Sequence, residues 1–533
     1  MTTRCLFLGL DGGTFSILDP LMEDGVMPFL KQFVASGARA ELRSVIPPTT
    51  PPGWTSIVTG RSPGNHGVLD FITFESLDSQ HARLTNSAHI QCETIWSMVS
   101  RQGLTATALN FPIMAPPRPI SGHVIPGWVV WRYLRRYCYP TALYDRLKGL
   151  PGFNPQELAM DLDIEQKALD GCPQEEQEEW VRMHLRRERQ WFQILAHLMR
   201  EEPHHLMGLV FDGVDKLQHL FWRLIDPACL PGQLSPWEVK VRQLCLDYFR
   251  QLDRLIAEIV TMAGEDANVF IVSDHGFGPS HGIFYVNTWL RQNGHLKWAA
   301  DSPADQEHPI SLGLSPEVLG SIDGLIDWGG TTAYARTPSS YGIHIRVAGR
   351  RSEEGIPPAE YPIFRHRLVN ALRGFRDSQT GAPVVTEAWT REEAFPGTLT
   401  HLAPDVTFWL RDGRLPSTVK SDVALWRRPE PVGSHRLEGI FLARGPAVAR
   451  GALLPQISVL DVTPMLLYAL GLPVPGDLEG QVQRDVFEST FVRANPVVIG
   501  EPTQPPEEFP SAPMDLEGQE AVASRLRALG YLD

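Results

Sequence analysis

Three short apolar runs share one feature: each ends in a carboxylate. Cys5-Leu6-Phe7-Leu8-Gly9-Leu10 ends at Asp11. Leu206-Met207-Gly208-Leu209-Val210-Phe211 ends at Asp212, with Asp215 close behind. Val269-Phe270-Ile271-Val272 runs into Ser273-Asp274-His275. Unbroken apolar runs of this length read as strands buried on both faces, as in parallel sheets. Ligands of open α/β sheets gather beyond the carboxyl ends of such strands. Any one of these acids also reads as a helix cap; three together can converge on one site.

Helical spacing fills the intervals. Pro28–Ser36 is short and amphipathic, Glu175–Arg200 is long and charged, and Val239–Met262 carries apolar residues every three to four positions. These stripes predict core packing. Ser339–Gly349 returns to strand alternation, and Gly439–Ala443 is another apolar strand. Val522, Leu526 and Leu529 predict a small docking helix near the end of the sequence.

The pattern divides the chain into a catalytic core in three parts, 1–114, 204–300 and 333–494. Residues 115–203 fit the strand alternation poorly and are expected to form an inserted cap. Residues 301–332 read as a loop-rich cover, and 495–533 as a Pro- and acid-rich arm with a C-terminal helix. The expected fold is α/β, with a mostly parallel central sheet and helices on both faces.

Composition narrows the function. Over 533 residues, 43% hydrophobic and 21% charged content is that of an ordinary globular protein, and the formal charge of −14 argues against a nucleic-acid polymer as partner. Six scattered cysteines form no CxxC pair, so neither a disulfide framework nor a thiolate zinc site is expected. No run reaches the ~20 apolar residues of a membrane span. The N-terminus has no signal-peptide pattern, and a cytoplasmic location is expected.

The chemistry concentrates in four stretches. In "RSVIPPTTPPGWTSIVTGRSPGNHGVLDF", from Arg43 to Phe71, Thr50 precedes Pro51-Pro52 and is expected to be extended, ahead of a helix start. Such a hydroxyl is either a cap or a nucleophile held at a fixed angle. In "FDGVDKLQHLFW", Asp215 and His219 are four apart and share a helix face. Asp212 competes for the acid role, but its i+4 partner is Lys216. "VFIVSDHGFG" drives a strand into Asp274 and His275, two groups that are costly to bury without compensation. "PVGSHRLEGIFLARGP" places His435 ahead of a strand. Asp11, Asp215, Asp274, His219, His275 and His435 can build two cation sites from N and O donors, suited to zinc or manganese. Two cations can clamp the attacking and leaving oxygens of a phosphoryl transfer and activate the Thr50 hydroxyl.

These motifs, in this order, resemble the alkaline phosphatase superfamily. They are "LGLDGG" at 8–13, "PPTTPPGWTSIVTGRSPGNHGV" at 47–68, "DGVDKLQH" at 212–219, "SDHGFG" at 273–278 and "GSHRLEGIFLARGP" at 433–446. "ISVLDVTPMLLYALGLPVPGDLEGQV" at 457–482 resembles the closing segment. The similar branch holds the nucleotide pyrophosphatase/phosphodiesterases and related phosphohydrolase/phosphomutase proteins. The resemblance implies an alkaline-phosphatase-like three-layer fold and two divalent metal ions, zinc or manganese. It places Asp11, Thr50, Asp274 and His275 at one ion and Asp215, His219 and His435 at the other. It makes Thr50 the nucleophile of a covalent phosphothreonine intermediate, with helix N–H groups behind it to face phosphate.

Two departures stand out. Phosphodiesterase relatives have Asn three residues after the nucleophile, where this chain has Gly53, and Trp54 replaces a common His. Asn110 and Arg61 are the candidate replacement donors for the phosphate oxygens. The chain lacks the CxPSR-like setting of sulfatases. The expected reaction is metal-dependent hydrolysis of a small-molecule phosphate mono- or diester. A phosphomutase that returns the phosphoryl group, or a non-catalytic binder of phosphate ligands, are the alternatives. The sequence leaves the oligomeric state open.

Overall fold

A computed structural model describes residues 4–74, 82–159, 173–300, 325–349, 354–506, 518–519 and 522–523. Its centre is a sheet of nine strands among the described residues. Asn268–Val272, Cys5–Leu10, Leu206–Phe211, Ala106–Leu109 and Gly122–Ile125 lie side by side in that order, all parallel. Glu438–Arg444 runs antiparallel beside Asn268–Val272 and is followed by Ala38–Arg43. The three runs that end in acids are thus immediate neighbours, with Leu10 opposite Phe211 and Gly9 opposite Val272.

The central strands are buried along their whole length because each sends alternate residues into a different core. Leu6, Leu8, Leu10, Leu209, Phe211 and Ile271 meet one layer of helices, and Cys5, Phe7, Leu206, Val210, Phe270 and Val272 meet the other. The first layer holds two 28-residue helices, Gln174–Glu201 and Pro236–Ala263, packed on each other. The second starts with ten residues, Thr50–Thr59, all of them buried. The short Pro28–Ser36 helix falls where the pattern predicts it. Its first turn is capped from a distance: both Asp253 carboxylate oxygens accept, from Phe29 N at 3.0 Å and Leu30 N at 2.8 Å.

Residues 115–203 are not all outside the sheet. Gly122–Ile125 is its edge strand, and four helices follow among the described residues: Trp131–Tyr137, Ala142–Leu147, Pro155–Leu158 and Gln174–Glu201. The strand escaped the sequence pattern because it is four residues long and sits between prolines and glycines. A second sheet lies within 333–494. Ala333–Tyr334, Gly342–Ile345, Val406–Leu410 and Val385–Thr390 pair antiparallel, with the helix Tyr361–Gly374 packed on them around a core of their own.

A third sheet ties the two regions together. Gly276–Tyr285 continues from Asp274-His275 and pairs antiparallel with Leu425–Arg436, Arg436 opposite Gly276 and His435 opposite Phe277. This register carries His435 to the mouth of the central sheet. Of the loop-rich cover, 325–332 is described. Val522 and Ala523 are buried against Phe71, Tyr133 and Tyr137, whereas Leu526 and Leu529 lie outside the described residues. No helix among the described residues is long and apolar enough to cross a membrane. Cys5, Cys92, Cys138, Cys229 and Cys245 are free thiols, and Cys172 lies outside the described residues.

Candidate active site

Seven of the expected residues meet beyond the carboxyl ends of the three acid-tipped strands. Asp11, Thr50, Asp215, Asp274 and His275 are wholly inaccessible to solvent, and His435 is buried. Thr50 Oγ1 lies 3.3 Å from His275 Nε2. The same nitrogen is 3.3 Å from Asp274 Oδ2 and 3.6 Å from Asp11 Oδ1. On the other side, Asp215 Oδ1 is 3.2 Å from His435 Nε2 and 3.4 Å from His219 Nε2. The ligand atoms of Asp11, Asp274 and His275 lie within 4.8 Å of one another, as do those of Asp215, His275 and His435. His275 therefore belongs to both groups.

Hydrogen bonds fix which ring nitrogen faces inward. His275 Nδ1 is 3.1 Å from Gly276 O, and His435 Nδ1 is 2.9 Å from Pro48 O. A carbonyl only accepts, so each Nδ1 carries the proton and each Nε2 presents a lone pair. The inward face is then a set of acceptors turned on one another. Neither oxygen of Asp11 has a hydrogen-bond partner among the described residues, nor has Asp274 Oδ2. Burial, then Asp274 and Asp215, push the Asp11 carboxyl well above its ordinary range. Burial pushes Asp274 up to about 8. Burial, then His435, drives His275 well below the ordinary imidazole value. Acceptors packed together with too few donors are costly, and divalent cations are the groups that relieve them. The residues fit such ions: N and O donors, buried, with the Gly276 and Pro48 carbonyls orienting the imidazoles from behind.

Asp215 differs from the other two acids. Burial alone would raise its carboxyl, but Lys216 and His219 outweigh burial and hold it well below the usual range. Lys216 Nζ is 2.9 Å from Asp215 Oδ2 and 5.3 Å from the centre of the Trp128 ring. Trp128 stacks on Phe71, with centroids 5.6 Å apart and planes 4° apart, so an aromatic wall stands beside the ammonium. Lys216 and Trp128 were not foreseen as parts of the site. The signal for Lys216 was a cation next to a strand-end acid; Trp128 had none.

Asp212 has partners of its own beneath the cluster. Asp212 accepts from Arg187, which reaches down from the Gln174–Glu201 helix, and from Asn110 Nδ2 at 3.3 Å. Asn110 Nδ2 also donates to Val210 O at 2.8 Å, and Asn110 Oδ1 accepts from Arg187 at 3.3 Å. The amide expected to meet phosphate is thus engaged at the strand ends. Arg61 is not brought to Thr50 at all. It lies past the far end of the Thr50–Thr59 helix, about 15 Å along the axis, and pairs with Asp477 at 2.6 Å.

Thr50 itself corrects one expectation. The extended residue is Thr49 (φ −112°, ψ 152°), and the helix begins at Thr50. Prolines are tolerated in a first turn, where their missing N–H groups would have no intrahelical partner. The same prolines thin out the donors: Pro51 and Pro52 have none, and Gly53 N bonds Thr49 O at 3.0 Å. Within this turn only the Thr50 amide remains to face an anion. Gly53 is glycine for want of space, since a Cβ there would stand 3.0 Å from Asp274 Cβ and 3.1 Å from Asp274 O. His66, in the same motif, is structural. Its Nδ1 accepts from Val68 N at 3.1 Å and its Nε2 reaches Ser56 Oγ at 2.9 Å, pinning the following loop to the helix.

Residues 5–436 match the family model of type I phosphodiesterase/nucleotide pyrophosphatase. No curated protein matches the chain in sequence. Human ectonucleotide pyrophosphatase/phosphodiesterase 5 is similar in structure, with TM-score 0.51 and 15% identity, over 91% of this chain and 100% of that one. The murine protein, in an inactive variant bound to AMP, gives TM-score 0.53 and 14% identity over the same shares. Phosphonoacetate hydrolase from Sinorhizobium meliloti 1021, bound to phosphonoformate, gives TM-score 0.53 and 16% identity over 88% of this chain and 95% of that one. At these identities the likeness concerns the fold, which is alkaline-phosphatase-like.

Proposed function

The chain belongs to the type I phosphodiesterase/nucleotide pyrophosphatase family, a family of phosphoester hydrolases, and from that premise we propose a two-metal phosphohydrolase acting through phospho-Thr50. The observation that carries this reading is the set of buried acceptors at Asp11, Asp274 and His275, closed around the Thr50 hydroxyl. Asp11, Asp274 and His275 would hold one divalent ion beside Thr50, and Asp215, His219 and His435 the other, with His275 within reach of both. When bound, the ions supply positive charge for the phosphate oxygens and favour the ionised forms of hydroxyl and water.

The chain's own residues do the rest. Thr50, fixed at the start of a buried helix, attacks phosphorus, and the ester oxygen leaves from the opposite side. The bond formed is Thr50 Oγ–P and the bond broken is P–O of the ester, with the Thr50 proton lost to water and the leaving oxygen protonated from water; water later displaces the phosphoryl group from Thr50, as phosphate from a monoester or as a monoester from a diester. Lys216 keeps Asp215 anionic through this sequence. Small phosphate or phosphonate ligands, such as the AMP and phosphonoformate held by the structural neighbours, are the chemical class that fits.

Turnover of chromogenic phosphate mono- and diesters by metal-stripped protein, with zinc or manganese added back, tests the reading. Metal-dependent release of phosphate carrying oxygen from labelled water is expected. Retention of the phosphoryl group on the substrate would make the protein a mutase. No turnover with any ester and any ion would leave a binder.

A further inference from the structure

At the opposite end of the central strands, His123, Glu202 and His204 bring ligand atoms within 4.8 Å of one another. His123 is the second residue of the edge strand Gly122–Ile125, and His204 lies just before Leu206–Phe211, two strands away. Glu202 caps the C-terminal end of the Gln174–Glu201 helix. The cluster sits at the amino ends of strands whose carboxyl ends carry the active site, about 20 Å distant for a six-residue strand. We propose that these three side chains form a separate binding site for a divalent transition-metal ion, zinc-like in its preference.

Three observations carry the assignment. The donor spacing suits one ion: His123 Nε2 is 3.5 Å from Glu202 Oε2, and His204 Nε2 is 3.9 Å from Glu202 Oε1. Donors on a tetrahedral zinc stand about 3.3 Å apart, so a small inward movement closes the set. Next, the imidazoles are buried and incompletely used. His123 is 2% exposed, and its Nδ1 has no hydrogen-bond partner among the described residues. The nitrogen that faces Glu202 is Nε2, and it is the one placed to bind an ion. Finally, His204 is already oriented from behind, with its Nδ1 2.7 Å from Thr107 Oγ1 on the strand between the two histidines. A bond of this kind behind the ring aims the other nitrogen at an ion. Burial also pushes His123 down to about 4 and lowers His204, which leaves both rings neutral.

Glu202 is the entry point. It is exposed and shares its Oε2 with Arg146 at 2.9 Å. Two imidazoles and one carboxylate leave a fourth position for water, and Arg146 can hold the carboxylate while both histidines bind. Such an ion would fasten a long helix and a sheet edge together, without contact to the catalytic cluster.

Metal content of the full-length protein, saturated with zinc and freed of excess, tests the proposal, together with the cobalt-substituted visible spectrum. Glu202→Gln alters one exposed side chain and keeps its shape, and His123→Gln removes a ligand from the core of the site. The wild type is expected to hold one zinc more than either variant, with at least tenfold weaker binding of that ion in the variants. Turnover of the loaded Glu202→Gln enzyme is expected to stay unchanged. Equal zinc content and equal cobalt spectra in the wild type and Glu202→Gln would overturn the site, whatever the fate of His123→Gln.

Discussion

His275 and His435 stack face to face, their ring centroids 3.6 Å apart and their planes 22° from parallel. His275 immediately precedes the strand Gly276–Tyr285, and His435 lies at the end of that strand's antiparallel partner, Leu425–Arg436. His275 reaches the Asp11–Asp274 group and the Asp215 group, whereas His435 reaches only the latter. The two should therefore differ when removed. His435→Ala is expected to lower metal content by one ion per chain, and His275→Ala to weaken both. Metal analysis after dialysis against a weak chelator reads this; equal losses would show that His275 serves one ion only.

Thr50→Ala is expected to reduce turnover by at least about 10³-fold, as loss of a nucleophile does, while the ions stay bound. Arg61→Ala is the matched control at the other end of the same helix. Its ion pair with Asp477 is partly exposed and contributes about 1 kcal/mol or less. Turnover within about twofold of wild type is expected for it, and a loss comparable to that of Thr50→Ala would return Arg61 to the site.

Gly53→Asn supplies the side chain that phosphodiesterase relatives carry, in a place where Asp274 blocks it. The new Cβ has to displace Asp274, so metal affinity is expected to fall together with turnover. A variant that binds metal normally and gains diesterase activity would show that the strand end yields more readily than its packing suggests.

Asp70 gives a pH dependence. Its carboxyl accepts from Thr337 Oγ1 at 2.6 Å, Ser339 Oγ at 2.5 Å and Phe71 N at 2.7 Å, yet burial outweighs these bonds and raises it to about 6. The unfolded chain releases this proton near pH 3.9. Between those values the folded state holds more protons, so this group makes stability fall as pH rises from about 4 to about 6, by about 3 kcal/mol in all. Asp70→Asn cannot titrate. The midpoint of its thermal unfolding, relative to wild type, is expected to shift in the variant's favour from pH 4 to pH 7. A constant difference would mean that Asp70 does not titrate in this window.

The sequence made the central sheet legible because its strands are buried on both sides and so read as unbroken apolar runs. Acids at their ends marked the site for the same reason: nothing in a two-sided core explains a carboxylate there. The edge strand Gly122–Ile125 and the strands Val385–Thr390 and Val406–Leu410 carried no such contrast, being brief and bounded by turn residues, whereas Gly342–Ile345 falls within the alternation expected at Ser339–Gly349. Thr50 was placed one residue out of register with its helix, since a first turn absorbs prolines that a helix interior cannot. Asn110 and Arg61 were chosen by residue type alone. Their partners, Asp212, Arg187 and Asp477, are 102, 77 and 416 residues away, and only tertiary structure reveals them.

The side-by-side placement of Cys5–Leu10, Leu206–Phe211 and Asn268–Val272 has a consequence for metal choice. Adjacent strands stand about 4.8 Å apart, a spacing set by the backbone and indifferent to side chains. The sheet thus works as a ruler against which the cations are gauged. Slippage of one strand by a single residue would carry its acid about 3.3 Å along the axis and spoil the match for either ion. Selectivity among metals should then respond to core substitutions deep in the sheet, far from any atom that touches an ion.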